Sequence, residues 1–407
     1  MTSLKTLIGS NGPAGGAAPT TRARGGTVAP SVTGVRFLHT SDWQLGMTRH
    51  FLQGEAQARY AGARLDAVRA LGALARDRRC DFVLVAGDVF DSNLLSSQTV
   101  RRTLDVLGAI EAPVYLLPGN HDAYNAATIY RSPVFRRECP PNVHVLAATG
   151  GTPVAPGVEL LAAPLLSNAP LTDPTAEVLA DLAADGTRRI LVGHGQIDVL
   201  APESPGPSAI RLAALEAAIE AGSVHYVALG DRHSRLSVGG TGRVHYSGSP
   251  EVTDFRDTAA GEVLVVDLAA DGSVSTEAVR VGRWRFLDWT HDIANGDDIA
   301  TLDAELAAVA DADRTVVRHA LVGTLSLADN AALYDVLNRH ADRLAGCFPW
   351  DAYTDLVVCC GEDDLAALPA GGYLGAAVAQ LRRGAAADAT AGDALALLYR
   401  LARTEAR

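Results

Sequence analysis

Cysteine is scarce and unpatterned in this 407-residue chain: Cys80, Cys139, Cys347, Cys359 and Cys360 are odd in number and form no C-x-x-C pair. That excludes a disulfide framework and a thiolate zinc site, and it casts all five as buried small hydrophobes. No stretch approaches the apolar length of a membrane span, and the N-terminus MTSLKTLIGS lacks the long apolar core of a secretory signal, so a cytoplasmic location is expected. Positive charge is in deficit. Against 35 Lys and Arg stand 47 Asp and Glu, a formal charge of −12. Such a surface repels nucleic acid and anionic membranes at long range, so any contact with DNA must rely on local basic patches, bound metal ions or a partner subunit. Aromatic residues make up only 5% of the chain and nowhere interleave with basic ones as in a single-strand binding platform.

What the chain has is apolar residues, 48% of the total, enough to bury a sizeable core and to build two domains. Residues 1–34 are rich in Gly, Ala, Pro and Thr without apolar periodicity, and are expected to form a disordered leader. From Val35 short apolar runs alternate with helical patterns: VRFLHT, a long Ala/Arg helix around Glu55 to Asp77, DFVLVAG, a helix around Gln98 to Glu111, then PVYLLPG. NVHVL, VELLAAP, RRILVGH, VHYVALG, RVHYSG and EVLVVDL follow as strands no longer separated by regular helices. The pattern predicts an α/β fold, a two-sheet core flanked by helices rather than a doubly wound parallel sheet. The Pro-rich LAPESPGPSAI between Leu200 and Ile210 reads as an exposed loop. Beyond about Val281, amphipathic helices enclose the alternating strand TVVRHALVGTLSL, and Leu333, Val336 and Leu337 fall at core spacing on the second helix. Residues 35–280 are therefore expected to form one α/β domain and residues 281–407 a smaller α+β domain.

Polar residues able to hold a metal follow the apolar runs at five places: Asp42 and Gln44 after FLHTS, Asp88 after FVLVAG, Gly119-Asn120-His121-Asp122 after VYLLP, His194 after ILVG, and Asp231 with His233 after VALG. Strand ends are where loops converge in α/β folds. One such residue is an ordinary turn residue or a structural histidine. Five in succession make the inventory needed to hold two divalent ions with one carboxylate bridging them.

These blocks, SDWQLG, GDVFD, GNHD, GHG and GDRH in this order, resemble those of the calcineurin-like metallophosphoesterases. Within that superfamily FLHTSDWQLG, LVAGDVFDSN, YLLPGNHD and YVALGDRH, followed by YSGSPEVTDF, look most like the SbcD-type DNA repair exonuclease subunit. The resemblance covers Val35 to Leu268; the last domain is only loosely similar to that family's capping domain. It implies a binuclear site in which Asp42 and His233 hold the first metal, Asp88 bridges, and Asn120 and His194 hold the second. It implies that His121 protonates the leaving alkoxide or stabilises the transition state. It also implies a DNA substrate, an SbcC-type coiled-coil ATPase partner and a homodimer.

Two positions depart from the family, which has His where this chain has Gln44 and Asp231. An amide carbonyl and a carboxylate in place of two imidazoles move preference toward the harder ions, Mn²⁺ first and Mg²⁺ next, and away from Zn²⁺. If Gln44 does not bind, the first metal keeps only Asp42, Asp88 and His233. The preferred reading is a metal-dependent DNA phosphodiesterase using water activated by two metals. The rivals are a phosphodiesterase for small molecules of the cyclic-nucleotide type and a non-catalytic scaffold with a degraded first metal site. His39, His225 and His245 read as structural, YSGSP as a turn or a substrate-side loop, and the pairs Arg78-Arg79, Arg101-Arg102, Arg136-Arg137 and Arg382-Arg383 as solvated surface or phosphate contacts.

Overall fold

A computed structural model describes residues 34–203, 205–359, 372–385 and 388–405. Apart from Gly34, the expected leader lies outside them, and so does Cys360. Two six-stranded mixed sheets pack face to face. In the first, β1 (Val35–Thr40), β2 (Phe82–Val85), β3 (Val114–Leu116) and β4 (Val143–Val145) are parallel, and β11 (Glu262–Leu268) and β12 (Val274–Arg280) continue it antiparallel beyond β1. The second has the order β5 (Gly150–Ala155), β6 (Val158–Ala163), β7 (Arg188–His194), β8 (Tyr226–Gly230), β10 (Val244–Tyr246), β9 (Leu236–Val238), with β6, β7, β8 and β10 parallel.

Each sheet is apolar on both faces, which is why its strands read as continuous runs. Alternate residues point to opposite faces. Phe37, Phe82, Leu84, Ile190, Val192, Tyr226 and Ala228 fill the seam between the sheets. Leu38, Val83 and Val85 turn outward onto α1 (Glu55–Asp77) and α2 (Ser97–Gly108). Leu191, Val227 and Leu229 turn outward onto two helices that the sequence pattern does not reveal, α4 (Pro174–Leu179) and α5 (Leu212–Glu220); α3 (Pro133–Glu138) lies on the first sheet's side. Both helices are short, too short to show a helical period.

Side chains in the seam shrink toward the C-terminal strand ends. Phe82, Leu84 and Ala86 step down in size along one strand, and Tyr226, Ala228 and Gly230 step down along its opposite number. The space left there receives His194, which continues the inward series of Ile190 and Val192.

A third sheet follows, with β14 (Thr315–Ser326) paired in parallel to β13 (Arg285–Ile293), β15 (Gly346–Pro349) and β16 (Asp355–Cys359). Its crossovers are α6 (Gly296–Ala308) and α7 (Leu327–Ala341), whose Leu333 and Val336 enter the local core with Leu337 packed against it. Two further helices, Gly372–Ala385 and Ala389–Glu405, pack against this end of the chain. The sheet meets the first two through Tyr60, Val252, Trp284, Phe286 and Val316, and the buried Glu251 carboxylate accepts the backbone N–H groups of Arg283 and Trp284.

Two expectations fail on exposure. Cys80, Cys139 and Cys347 are half-buried and Cys359 is exposed, because Cys359 ends β16 on its open face. The loop 200–210 is exposed only in its middle, since Ala209 and Ile210 are buried and Ile210 bridges to Ile197. The basic pairs are partly spent on ion pairs: Arg78 with Glu277, and Arg101 and Arg137 with Glu138. No helix among the described residues is long and apolar enough to cross a membrane.

Candidate metal centre

The five polar blocks converge where β1, β2, β3, β7 and β8 end. Asp42, Asp88 and His194, all buried, bring one ligand atom each within 4.8 Å of one another. His194 donates from Nδ1 to the Ala86 carbonyl at 2.8 Å, and its Nε2 faces Asn120 Oδ1 at 2.8 Å and Asp88 Oδ2 at 3.5 Å. Oxygen acceptors converging on one ring nitrogen describe a place for positive charge, a proton or a cation. The same demand appears in the titration of the ring: burial opposes its charging, yet Asp88, Asp42 and Asp231 outweigh burial and hold His194 well above the ordinary imidazole range. Burial pushes the Asp42 carboxyl up, whereas for Asp88 burial is overcome by His194 and His121, which hold it low.

The backbone around these groups has no slack. A methyl on Gly87 would lie 2.0 Å from His194 Nδ1, one on Gly119 2.2 Å from Asp88 Oδ1, and one on Gly230 1.9 Å from the Ala86 carbonyl. Of the seven non-glycine residues with left-handed φ among the described residues, four are site residues: Asp42 (+54°), Gln44 (+41°), Asp88 (+54°) and Asp231 (+95°). Such conformations are costly and persist only where the surroundings enforce them, as they do at functional sites.

Those surroundings can be named. Ser41 donates to Asp42 Oδ2 at 2.6 Å, the Asp231 N–H lies 3.2 Å from both Asp42 oxygens, and Ser249 donates to the Asp42 carbonyl at 2.8 Å. The buried Arg64 guanidinium on α1 spans the carbonyls of Asp42 and Trp43. The YSGSP segment therefore lies beneath Asp42, with Ser247 and Ser249 fully buried.

The remaining residues divide into two groups. Asn120 and Asp231 stand with His194, Asp231 Oδ1 being 3.8 Å from His194 Nε2. His233 Nε2 lies 4.0 Å from Asp42 Oδ1, and Gln44 Nε2 is 3.1 Å from that same His233 nitrogen. Gln44 is buried, and its Oε1 has no hydrogen-bond partner. An orphaned buried carbonyl in a centre that also holds the Asp42 and Asp88 carboxyls suits a hard cation, so the donor set fits divalent metals.

His121 reaches the centre differently. Its backbone N–H donates to Asp88 Oδ1 at 2.9 Å, its Nδ1 donates to the Asp91 carbonyl at 2.9 Å, and its Nε2 lies 4.0 Å from Asp88 Oδ2. Burial works against its charge, but Asp88 and Asp91 raise it above the ordinary imidazole range, so the ring can hold a proton on the atom that faces the centre. Asp122, read in the sequence as one of the metal-binding group, is a clamp. Its carboxylate accepts from Gly119 N–H, Phe90 N–H and Tyr130 O–H and is fully buried, with its pKa pushed up to about 6 by burial and Asp88. Sequence reasoning missed Arg64 and Tyr130 as supports, because nothing local marks a helix arginine or a tyrosine as facing a strand end. His39 and His245 are structural as expected: His39 bonds Tyr226 and the Leu229 carbonyl across the seam, and His245 stacks on Tyr226.

The family comparison agrees with this geometry. The calcineurin-like phosphoesterase family matches residues 35–235, a span that contains every residue of the centre. Among curated proteins the chain is similar to the SbcD subunit of nuclease SbcCD from Bacillus subtilis strain 168, 32% identical over 22% of this chain and 22% of that protein. The corresponding protein of Escherichia coli strain K12 is 28% identical over 60% of this chain and 67% of that protein. Solved structures similar to it include a Thermus thermophilus protein (TM-score 0.35, 14% identity, 61% of this chain and 100% of that one). Another is a dimetal phosphatase from Danio rerio (TM-score 0.38, 12% identity, 61% and 99%). Residues 35–235 of this chain are a calcineurin-like metallophosphoesterase domain.

Proposed function

We propose that this protein is a metal-dependent phosphodiesterase acting on DNA, with Asp42, Gln44, Asp88, Asn120, His194, Asp231 and His233 holding two divalent cations, Mn²⁺ or Mg²⁺. The observation that carries the reading is the meeting of Asp42, Asp88 and His194 ligand atoms within 4.8 Å, with Asn120 and His121 alongside. When bound, the cations supply charge neutralisation and Lewis acidity toward a phosphodiester. The chain supplies the rest. Asp88 stands between the two groups of ligands, Asn120 and Gln44 add neutral oxygens that limit the negative charge, and His121 Nε2 holds a proton for the leaving alkoxide. The domain limits in this reading are a catalytic unit over 35–280 and a cap over 281–407.

A DNA substrate is favoured over a small one by the cleft beside His194. It measures about 240 Å³ and is lined by Asn120, Asn168, Gln196, Ser208 and Asp231, below the roughly 300–1,000 Å³ typical of pockets that enclose small ligands. A polymer lying across the mouth needs no enclosure. The similarity to SbcD supports an SbcC-type coiled-coil ATPase as partner, a homodimer and a cytoplasmic location; no membrane enters the reading. With a charge of −12, DNA affinity comes from that partner and the cations. One observation favours the scaffold reading: the contact of Gln44 Nε2 with His233 Nε2 occupies a nitrogen that the first cation needs.

The test is Mn²⁺-dependent cleavage of end-labelled DNA by the purified chain beside His121→Ala. Cleavage that falls about 10²- to 10⁴-fold in the variant supports a nuclease with His121 as its acid. Absence of cleavage across a wide Mn²⁺ range, with two ions bound per chain, removes autonomous nuclease activity; one ion or none supports the scaffold.

A further inference from the structure

Behind His233 runs a chain of hydrogen bonds that no part of the preceding reading uses. Asp257 Oδ2 accepts from the Thr253 N–H at 2.9 Å, the Asp254 N–H at 3.0 Å and the Thr253 hydroxyl at 2.7 Å. The Thr253 oxygen is in turn 2.5 Å from His233 Nδ1. Thr253 is fully buried and the Asp257 side chain is 8% exposed, so water does not compete for these bonds.

For a neutral His233 ring the proton count has one solution. A hydroxyl carries a single proton, and an ionised carboxylate only accepts, so the Thr253 proton goes to Asp257. The Thr253 oxygen must then accept from His233, which places the ring proton on Nδ1 and leaves a lone pair on Nε2. The Gln44 atom that faces Nε2 must donate, so it is the amide nitrogen, as the 3.1 Å contact has it. The other end of the amide, Oε1, is left buried and unbonded. A carbonyl buried without a partner is unfavourable, so its surroundings hold it there. Four residues from three segments thus fix one tautomer and one amide orientation.

We propose that Thr253 and Asp257 are positioning residues that make the first cation site conditional: they present His233 Nε2 and Gln44 Oε1 as ligands, and a cation that takes His233 must displace the Gln44 amide from it. The inference rests on the metal reading above. It separates the two halves of the centre, because His194 Nε2 faces oxygen acceptors, whereas His233 Nε2 faces an amide donor. The second site therefore fills first and the first site fills weakly.

Thr253→Val removes the acceptor at Nδ1. The ring proton then moves to Nε2, where it donates to a turned Gln44 Oε1, and both ligands are lost to each other. In the metal-free protein, long-range ¹⁵N correlation of the imidazoles, with His233→Gln for assignment, is expected to show the Nδ1–H form in the wild type and in Thr253→Ser, and the Nε2–H form in Thr253→Val. An Nε2–H ring in the wild type, or the same ring in all three, overturns the relay. In Mn²⁺ calorimetry the wild type is expected to show two unequal sites, and Thr253→Val to weaken only one of them by about 10- to 100-fold, with Thr253→Ser restoring it. Equal loss at both sites overturns the assignment to the first site. A wild-type chain that binds no Mn²⁺ overturns the metal reading itself and the ligand role of Gln44 with it, a result the metal-free tautomers distinguish from failure of the relay.

Discussion

The half of the centre made by Asp88, Asn120 and His194 stands on the ends of β2, β3 and β7, packed so closely that a methyl on Gly87 or Gly230 would approach a neighbour to within 2.0 Å or less. The half made by Asp42, Gln44 and His233 stands on turns, held by serines, the Arg64 guanidinium and the Thr253–Asp257 relay. Both halves have left-handed residues, and a methyl on Gly248 would lie 3.0 Å from the His233 carbonyl, but the approaches of 2.2 Å or less are in the strand-end half. Hydrogen bonds can be re-formed with a different partner, and packed backbone cannot. The departure at Gln44 lies on the side that can absorb it, whereas the one at Asp231 stands with His194 on the packed side.

The comparison can be broken most directly with glycine. Gly87→Ala and Gly230→Ala in the packed half are expected to cost on the order of 3 kcal/mol each, read as a lower urea midpoint at constant m. Gly46→Ala in the other half meets only the movable end of Leu95, at 2.6 Å, and is expected to cost about 1 kcal/mol, the cost of its left-handed φ. Equal losses would show that the two halves share one foundation.

A pH series sharpens the same contrast. His39 ties β1 to β8 beneath the centre, donating from Nε2 to the Leu229 carbonyl and accepting from Tyr226, and burial together with His245 lowers it to about 3. A group lowered from 6.5 in the unfolded chain stabilises fully above pH 6.5 and loses that contribution as pH falls from 6.5 toward 3. Between about pH 7 and pH 5 the loss is about 2 kcal/mol. Denaturant melts of His39→Gln are expected to be flatter over that interval, while the part due to His319, lowered to about 4 by its burial in the third sheet, persists.

The smallest effect is at the ligand itself. Gln44→His restores an imidazole and is expected to shift the first site by about tenfold toward Zn²⁺ over Mn²⁺, with no change at the second site, measured by competition calorimetry. A shift at both sites would mean that the halves are not independent.

Much of this was legible before folding. The β-rich runs and the helix Glu55–Asp77 stand where the pattern placed them, since apolar period and helix length are local signals. So are the five blocks at strand ends. The helices α4 and α5, the exposure of Cys359 and the clamp made by Asp122 were not, because each depends on what a distant segment brings alongside. Gln44 is the clearest case. Its chemistry as a neutral oxygen donor is a property of the residue, but its orientation is settled by His233, 189 positions away, and through it by Thr253 and Asp257.

By itself the sequence determined the kinds of ligand and their order along the chain, because residue type and strand-end position are written locally. Tertiary structure alone decided which of these residues stand together, which nitrogen of each histidine faces the centre and which backbone is strained. Those depend on proton counts and contacts among segments that meet only when the two sheets close on each other.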